Sequence, residues 1–219
     1  MSARGSGLLA DELFLLAHDE VSGKARLHPR VTGIGLGGAL LAELVLAGRI
    51  DLQPTPEASS GAVVLMDPRP VDDELGSAVL EQIVAVGRPR PGTGWLKHLG
   101  QTATRNVGAR VAAAGLVTPV RSRLSRREVR WAPVDMSTAA WPATRLRMLL
   151  SRQDDLTMPD TTLAGFAIVC GLGQRILWDT QASARLYLDY LVARLPDPLR
   201  LLLAQTERSV GDAVMNRPI

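Results

Sequence analysis

Cysteine is almost missing from the 219-residue chain, where Cys170 stands alone. A lone thiol excludes an intramolecular disulfide framework and any zinc site built on cysteines. Aromatic residues are scarce at 4%, so leucine, valine, isoleucine and alanine must fill the interior. Lysine occurs only at Lys24 and Lys97, the rest of the 25 basic residues being arginine, a bias that a G+C-rich coding sequence is enough to produce. No apolar run reaches the roughly 18–20 residues that a bilayer crossing takes. Met1–Gly7 is too short and polar to read as a signal peptide. A soluble, cytoplasmic chain is therefore expected. Hydrophobic residues at 46% and charged residues at 21% exclude wholesale disorder. A chain of this length buries well over half of its unfolded surface without a metal or disulfide staple. With no biased linker and no internal repeat, a single domain over residues 1–219 is expected.

The net charge of +3 conceals a segregation. Residues 88–130 hold ten basic side chains against Glu128 alone, a local +9, and the remainder sums to −6. A basic block on an otherwise acidic chain points to an anionic partner, nucleic acid or membrane phosphate, although any single arginine is more often just solvated.

Leu9, Leu13, Leu16 and Ala17 recur at helical spacing and predict an amphipathic helix over Leu8–Glu20, stopped at Ser22-Gly23. Lys24–Arg30 is a polar connection. Thr32–Ala47 is apolar nearly all round, which predicts a buried central helix capped by Thr32 and Gly48, its glycines allowing close packing. Short strands are expected at Arg49–Leu52 and Ala62–Met66, then helices at Asp73–Val86, Trp95–Leu99 and Thr102–Ala114. Alternation over Leu116–Arg123 and Glu128–Val134 predicts a β-hairpin with arginines on its outward positions. Helices at Pro142–Leu150, Thr157–Gly171, Trp178–Leu195 and Pro198–Met215 complete the reading. The fold class is mainly α: a single-domain helical bundle around a buried central helix, with a β-hairpin.

Gly33–Gly38 contains G-x-G-x-x-G, but the dinucleotide fingerprint needs a strand feeding the glycine turn, and a polar, proline-closed connection precedes this one. His18-Asp19-Glu20 are consecutive and would diverge on a helix. His28 and His98 have no partner at ligand spacing, and Cys170 sits in an apolar run as an inert thiol. No set supplies a nucleophile with its base or three converging metal ligands, so no enzyme, cofactor or metal is expected. A helix followed by an arginine-rich hairpin is also the outline of a winged-helix nucleic-acid binder, which stands as the alternative function.

LLADELFLLAHDE (Leu8–Glu20), its Ser-Gly turn, and GLGGALLAELVLAGRIDL (Gly35–Leu52) resemble the Golgi phosphoprotein 3 family, eukaryotic Golgi adaptors with many bacterial relatives. The likeness continues through Arg105-Asn106-Val107, Ala112–Thr118, the hairpin, the Asp154-Asp155 turn and the later helices, covering nearly the whole chain. It implies a mostly helical, non-enzymatic peripheral membrane protein that binds phosphatidylinositol 4-phosphate, or another anionic phospholipid, on a shallow basic surface. A tryptophan and three arginines contribute there in the family. His28 stands at the tryptophan position, Gly37 at the first arginine, Arg105 at the second and Gly108 at the third. The headgroup candidates are accordingly Arg105 and His28, with Arg110, Arg121 and Arg123 adding positive charge. The expected partner is an anionic phospholipid membrane surface. A protein partner and self-association are left open, and nucleic acid is not expected.

Overall fold

One apolar helix organises the molecule because no face of it is fit for water. The computed structural model describes residues 7–55, 58–121, 129–178 and 182–215, and its architecture is mainly α. The central helix α2 runs Pro29–Leu46, begun by the His28 cap and Pro29 in its first turn. It is packed by α1 (Leu9–Leu16), α4 (Gly92–Gly100), α5 (Ala103–Ala113), α7 (Met158–Val169) and α10 (Asp197–Met215). Its 18 residues and mean hydropathy of 1.3 do reach the length and apolarity of a membrane span, contrary to the expectation from run length. That apolarity is spent on the protein interior, where 67% of the helix is buried. The glycines let neighbours touch its backbone. A Cβ on Gly33 would lie 2.2 Å from the Gly100 carbonyl oxygen, so α2 and the end of α4 meet main chain to main chain.

The first helix departs from its expected form. It ends at Leu16, and all eight of its residues are buried, Asp11 and Glu12 included. Both carboxylates meet arginines from distant helices: Arg110 at 2.7 Å from Asp11 and Arg145 at 2.6 Å from Glu12. His18 and Ala25 then form an isolated bridge, enclosing a turn in which Asp19 accepts from the Ser22 amide at 2.7 Å.

Strands β1 (Ile50–Thr55) and β2 (Ala58–Leu65) pair antiparallel with Ile50 opposite Leu65, running further into the expected loop than the sequence indicates. β3 (Arg90–Pro91) adds to the β2 edge. Helix α3 spans Glu74–Val86 behind an Asp73 cap. The hairpin forms as expected from alternation, β4 (Val117–Arg121) against β5 (Val129–Pro133), with Pro119 opposite Trp131. α6 runs Met136–Arg152, because Asp135 caps it through the Thr138 amide and Pro142 is accommodated inside. The expected Trp178–Leu195 helix is instead α8 (Gly173–Leu177) and α9 (Ala182–Ala193). The main hydrophobic cluster runs from Leu9 to Leu203 around Phe14 and Phe166, and a small second one gathers Val31, Cys170 and Val210.

Candidate functional site: a cation-rimmed cleft

Four segments converge where α2 begins. The turn after α1 contributes His18, Gly23, Lys24 and Ala25, and α2 contributes Pro29, Arg30 and Thr32. The α4–α5 junction brings Gly100, Gln101, Thr104 and Arg105, and β5 brings Val129, Arg130 and Trp131. Together they line a cleft of about 630 Å³. Lys24, Arg30, Arg105 and Arg130 are exposed around it. No carboxylate lines it, and none of these four cations has an acidic partner among the described residues. Arg26, in the same turn, is the exception that sets them apart, because it is held by Asp19 at 2.7 Å and by Glu20.

The floor is aromatic. The His18 ring stacks on Phe14 at 4.1 Å, and Phe14 meets Trp131 edge-on at 6.0 Å. His18 Nδ1 donates to the Phe14 carbonyl at 2.7 Å. A carbonyl only accepts, so in the neutral ring Nε2 keeps its lone pair. Burial lowers the His18 pKa from 6.5 most strongly, the Phe14 bond opposes this, and Arg26 adds to it. The ring is thus neutral near pH 7.

Of the five candidates from the sequence, Arg105 is the one that lines the cleft. His28 sits at its edge as the α2 cap, Nδ1 accepting from the Arg30 amide at 3.3 Å. Arg121 ends β4 opposite Val129, and Arg123 lies outside the described residues. Arg110 must be corrected. Its side chain is only 11% exposed and is held by Asp11 at 2.7 Å, Asp73 at 2.5 Å and Glu43 at 3.2 Å. Burial opposes its charge, but the carboxylates outweigh burial and raise its pKa. Arg110 is a structural cation, engaged by carboxylates of three other segments.

The structure also accounts for the two glycines at arginine positions. A Cβ on Gly37 would come within 3.2 Å of Leu99. One on Gly108 would be 2.5 Å from Cε2 and Cζ2 of the Trp131 indole. The positive charge comes instead from Lys24, Arg30 and Arg130, which the sequence reading did not assign. The missed signal is Lys24-Ala25-Arg26-Leu27-His28-Pro29-Arg30, a basic side chain at every second position.

A mainly helical domain wrapped on one buried helix, with a cation-rimmed cleft where that helix begins, is the class of protein these features define. The chain belongs to the Golgi phosphoprotein 3 (GPP34) family, whose model matches residues 9–210. This family is not known as one of enzymes. Curated proteins include none that matches the chain.

Proposed function

We propose that the protein is a non-enzymatic, cytoplasmic, peripheral membrane protein whose cleft takes the phosphate of an anionic phospholipid headgroup. Family membership fits a lipid-binding adaptor. The observation that carries the reading is the set of four exposed cations around a cleft that no carboxylate lines among the described residues. Each cation near an anionic leaflet contributes on the order of 1 kcal/mol, falling off within a Debye length. Four together support reversible, salt-sensitive docking, with Arg105 contacting the phosphate and Arg121 and Arg123 adding diffuse attraction. With Gly37 and Gly108 in place of arginines, phosphate charge is recognised through a different set of side chains from the family pattern, so phosphatidylinositol 4-phosphate and other anionic lipids are both ligands.

The test is sedimentation with vesicles of phosphatidylcholine alone, or with phosphatidylinositol 4-phosphate or phosphatidylglycerol added, at low and moderate salt. Binding should require the anionic lipid, weaken with salt and drop for Arg105→Glu. Equal binding to neutral vesicles overturns the proposal. Tighter binding to duplex DNA, abolished by Arg121→Glu/Arg123→Glu, replaces it with the nucleic-acid reading.

A further inference from the structure

The cleft floor carries a feature that charge attraction alone does not use. His18 is only 7% exposed, more than nine-tenths buried, and it lines a cleft rimmed by cations. Nδ1 is committed to the Phe14 carbonyl, and Nε2 has no partner among the described residues. Beside it, α5 presents its N-terminal end, with Gln101, Thr104 and Arg105 lining the same cleft. Thr102 gives this helix no side-chain cap, and the Arg105 amide has no acceptor among the described residues. An open helix N-terminus favours anions through its free amides and its dipole. A buried imidazole lone pair alone would repel one. The two features are reconciled if the ring gains a proton when the anion arrives.

We infer that the floor is a proton-coupled phosphate subsite, in which His18 takes one proton from solvent onto Nε2 as a dianionic phosphate group enters and donates that hydrogen to a phosphate oxygen. The α5 N-terminus and the Arg105 guanidinium hold the remaining oxygens. This rests on the reading of the cleft as a headgroup site and adds its regulation: binding strengthens as pH falls.

The surroundings of the ring support the switch. Around it lie Lys24 of the turn, Arg30 of α2, Arg105 of α5 and Arg130 of β5, all positive at any relevant pH. Arg26 donates from Nε to the His18 carbonyl at 3.2 Å, and its charge is already matched by Asp19 and Glu20. Burial, helped by the Arg26 charge, keeps the ring neutral. A dianion reverses the local potential and stabilises the imidazolium. His28, exposed at the edge, is the other histidine beside the cleft.

Sulfate is the probe, because it stays dianionic throughout the range while phosphate itself titrates near pH 6. Calorimetric titration of the full chain is carried out at about pH 8 and about pH 5.5, the window in which histidine changes charge. Uptake of one proton per anion has a limiting slope of about tenfold in affinity per pH unit. Wild type and His28→Gln should gain about three- to tenfold in affinity at the lower pH by that linkage, and His18→Gln should gain nothing. Independently of any variant, the NMR titration midpoint of the His18 ring should move upward when sulfate is added. A pH gain retained in His18→Gln, or a His18 midpoint indifferent to sulfate, overturns the inference. Vesicle sedimentation at the same two pH values separates the sources. If sulfate shows the gain and anionic vesicles do not bind, the subsite stands for free phosphate and the membrane reading fails. If vesicles bind and sulfate shows no pH gain, the membrane reading stands and the subsite fails.

Discussion

The indole of Trp131 occupies the space that any side chain at Gly108 would need, its Cε2 and Cζ2 atoms lying 2.5 Å from where a Cβ would stand. The third family arginine and a buried tryptophan are therefore mutually exclusive in this chain. Gly108→Arg, which would restore the family pattern, should not strengthen lipid binding. It should cost about 1–3 kcal/mol of stability through overpacking, read by urea denaturation. Unchanged stability together with tighter vesicle binding would show that the indole moves aside freely.

Two arginines five residues apart on α5 should separate structure from binding. Arg110→Met leaves three carboxylates facing one another in the interior and should cost about 3–5 kcal/mol. Glu43, already raised in pKa chiefly by burial, can take up a proton in that variant. The deficit should therefore narrow as pH falls. Arg105→Ala should stay within about 0.5 kcal/mol of wild type while losing sedimentation with anionic vesicles. Denaturation midpoints of the two variants between neutral and mildly acid pH decide the matter.

His18 should leave a signature in stability as well as in binding. Its folded pKa is below the ordinary 6.5, mainly through burial, so the unfolded chain takes up the proton first. Stability is complete above about 6.5 and declines as pH falls from there toward the folded value. Asp19, held at about 2 by the Ser22 amide and hydroxyl, contributes a separate loss only below its ordinary 3.8. His18→Gln should lack the decline at the higher pH and keep the one at the lower pH in urea midpoints measured across the range.

Cys170 should be silent toward thiol reagents in the native protein. It is buried, and burial alone pushes its pKa up to about 12, which leaves almost no thiolate to react. Labelling should appear only with unfolding, at a rate that follows denaturant concentration. Fast labelling in native buffer would place the thiol at the surface.

Where the sequence pattern was complete within a few turns, it could be read. The all-round apolarity of α2 and the alternation of the hairpin are local signals, and both elements form there, although α2 begins at Pro29 with His28 as its cap rather than at Thr32. The burial of Asp11 and Glu12 was not legible, because their partners lie 99 and 133 residues further along the chain. Arg110 was misread for the same reason: summing charge over a segment cannot tell a solvated arginine from one enclosed by carboxylates of other helices. Lys24 and Arg30 carry no local signal, because the sequence places both in a polar connection although Arg30 lies in the first turn of α2, and they form a site only when folding sets them beside α5 and β5. Pro142 reads as a helix start in the sequence, although the Asp135 cap already opens α6 seven residues earlier and the proline lies inside the helix.

The contact between Gly33 and the Gly100 carbonyl has a consequence for recognition. Main chain against main chain leaves no side chain free to adjust the gap between the start of α2 and the start of α5, and these are two jaws of the cleft. That side of the aperture is accordingly set before any ligand arrives, and little ordering of α2 against α5 is left to oppose binding. Substitutions along the rim can change which anion is preferred while the width of the opening stays fixed.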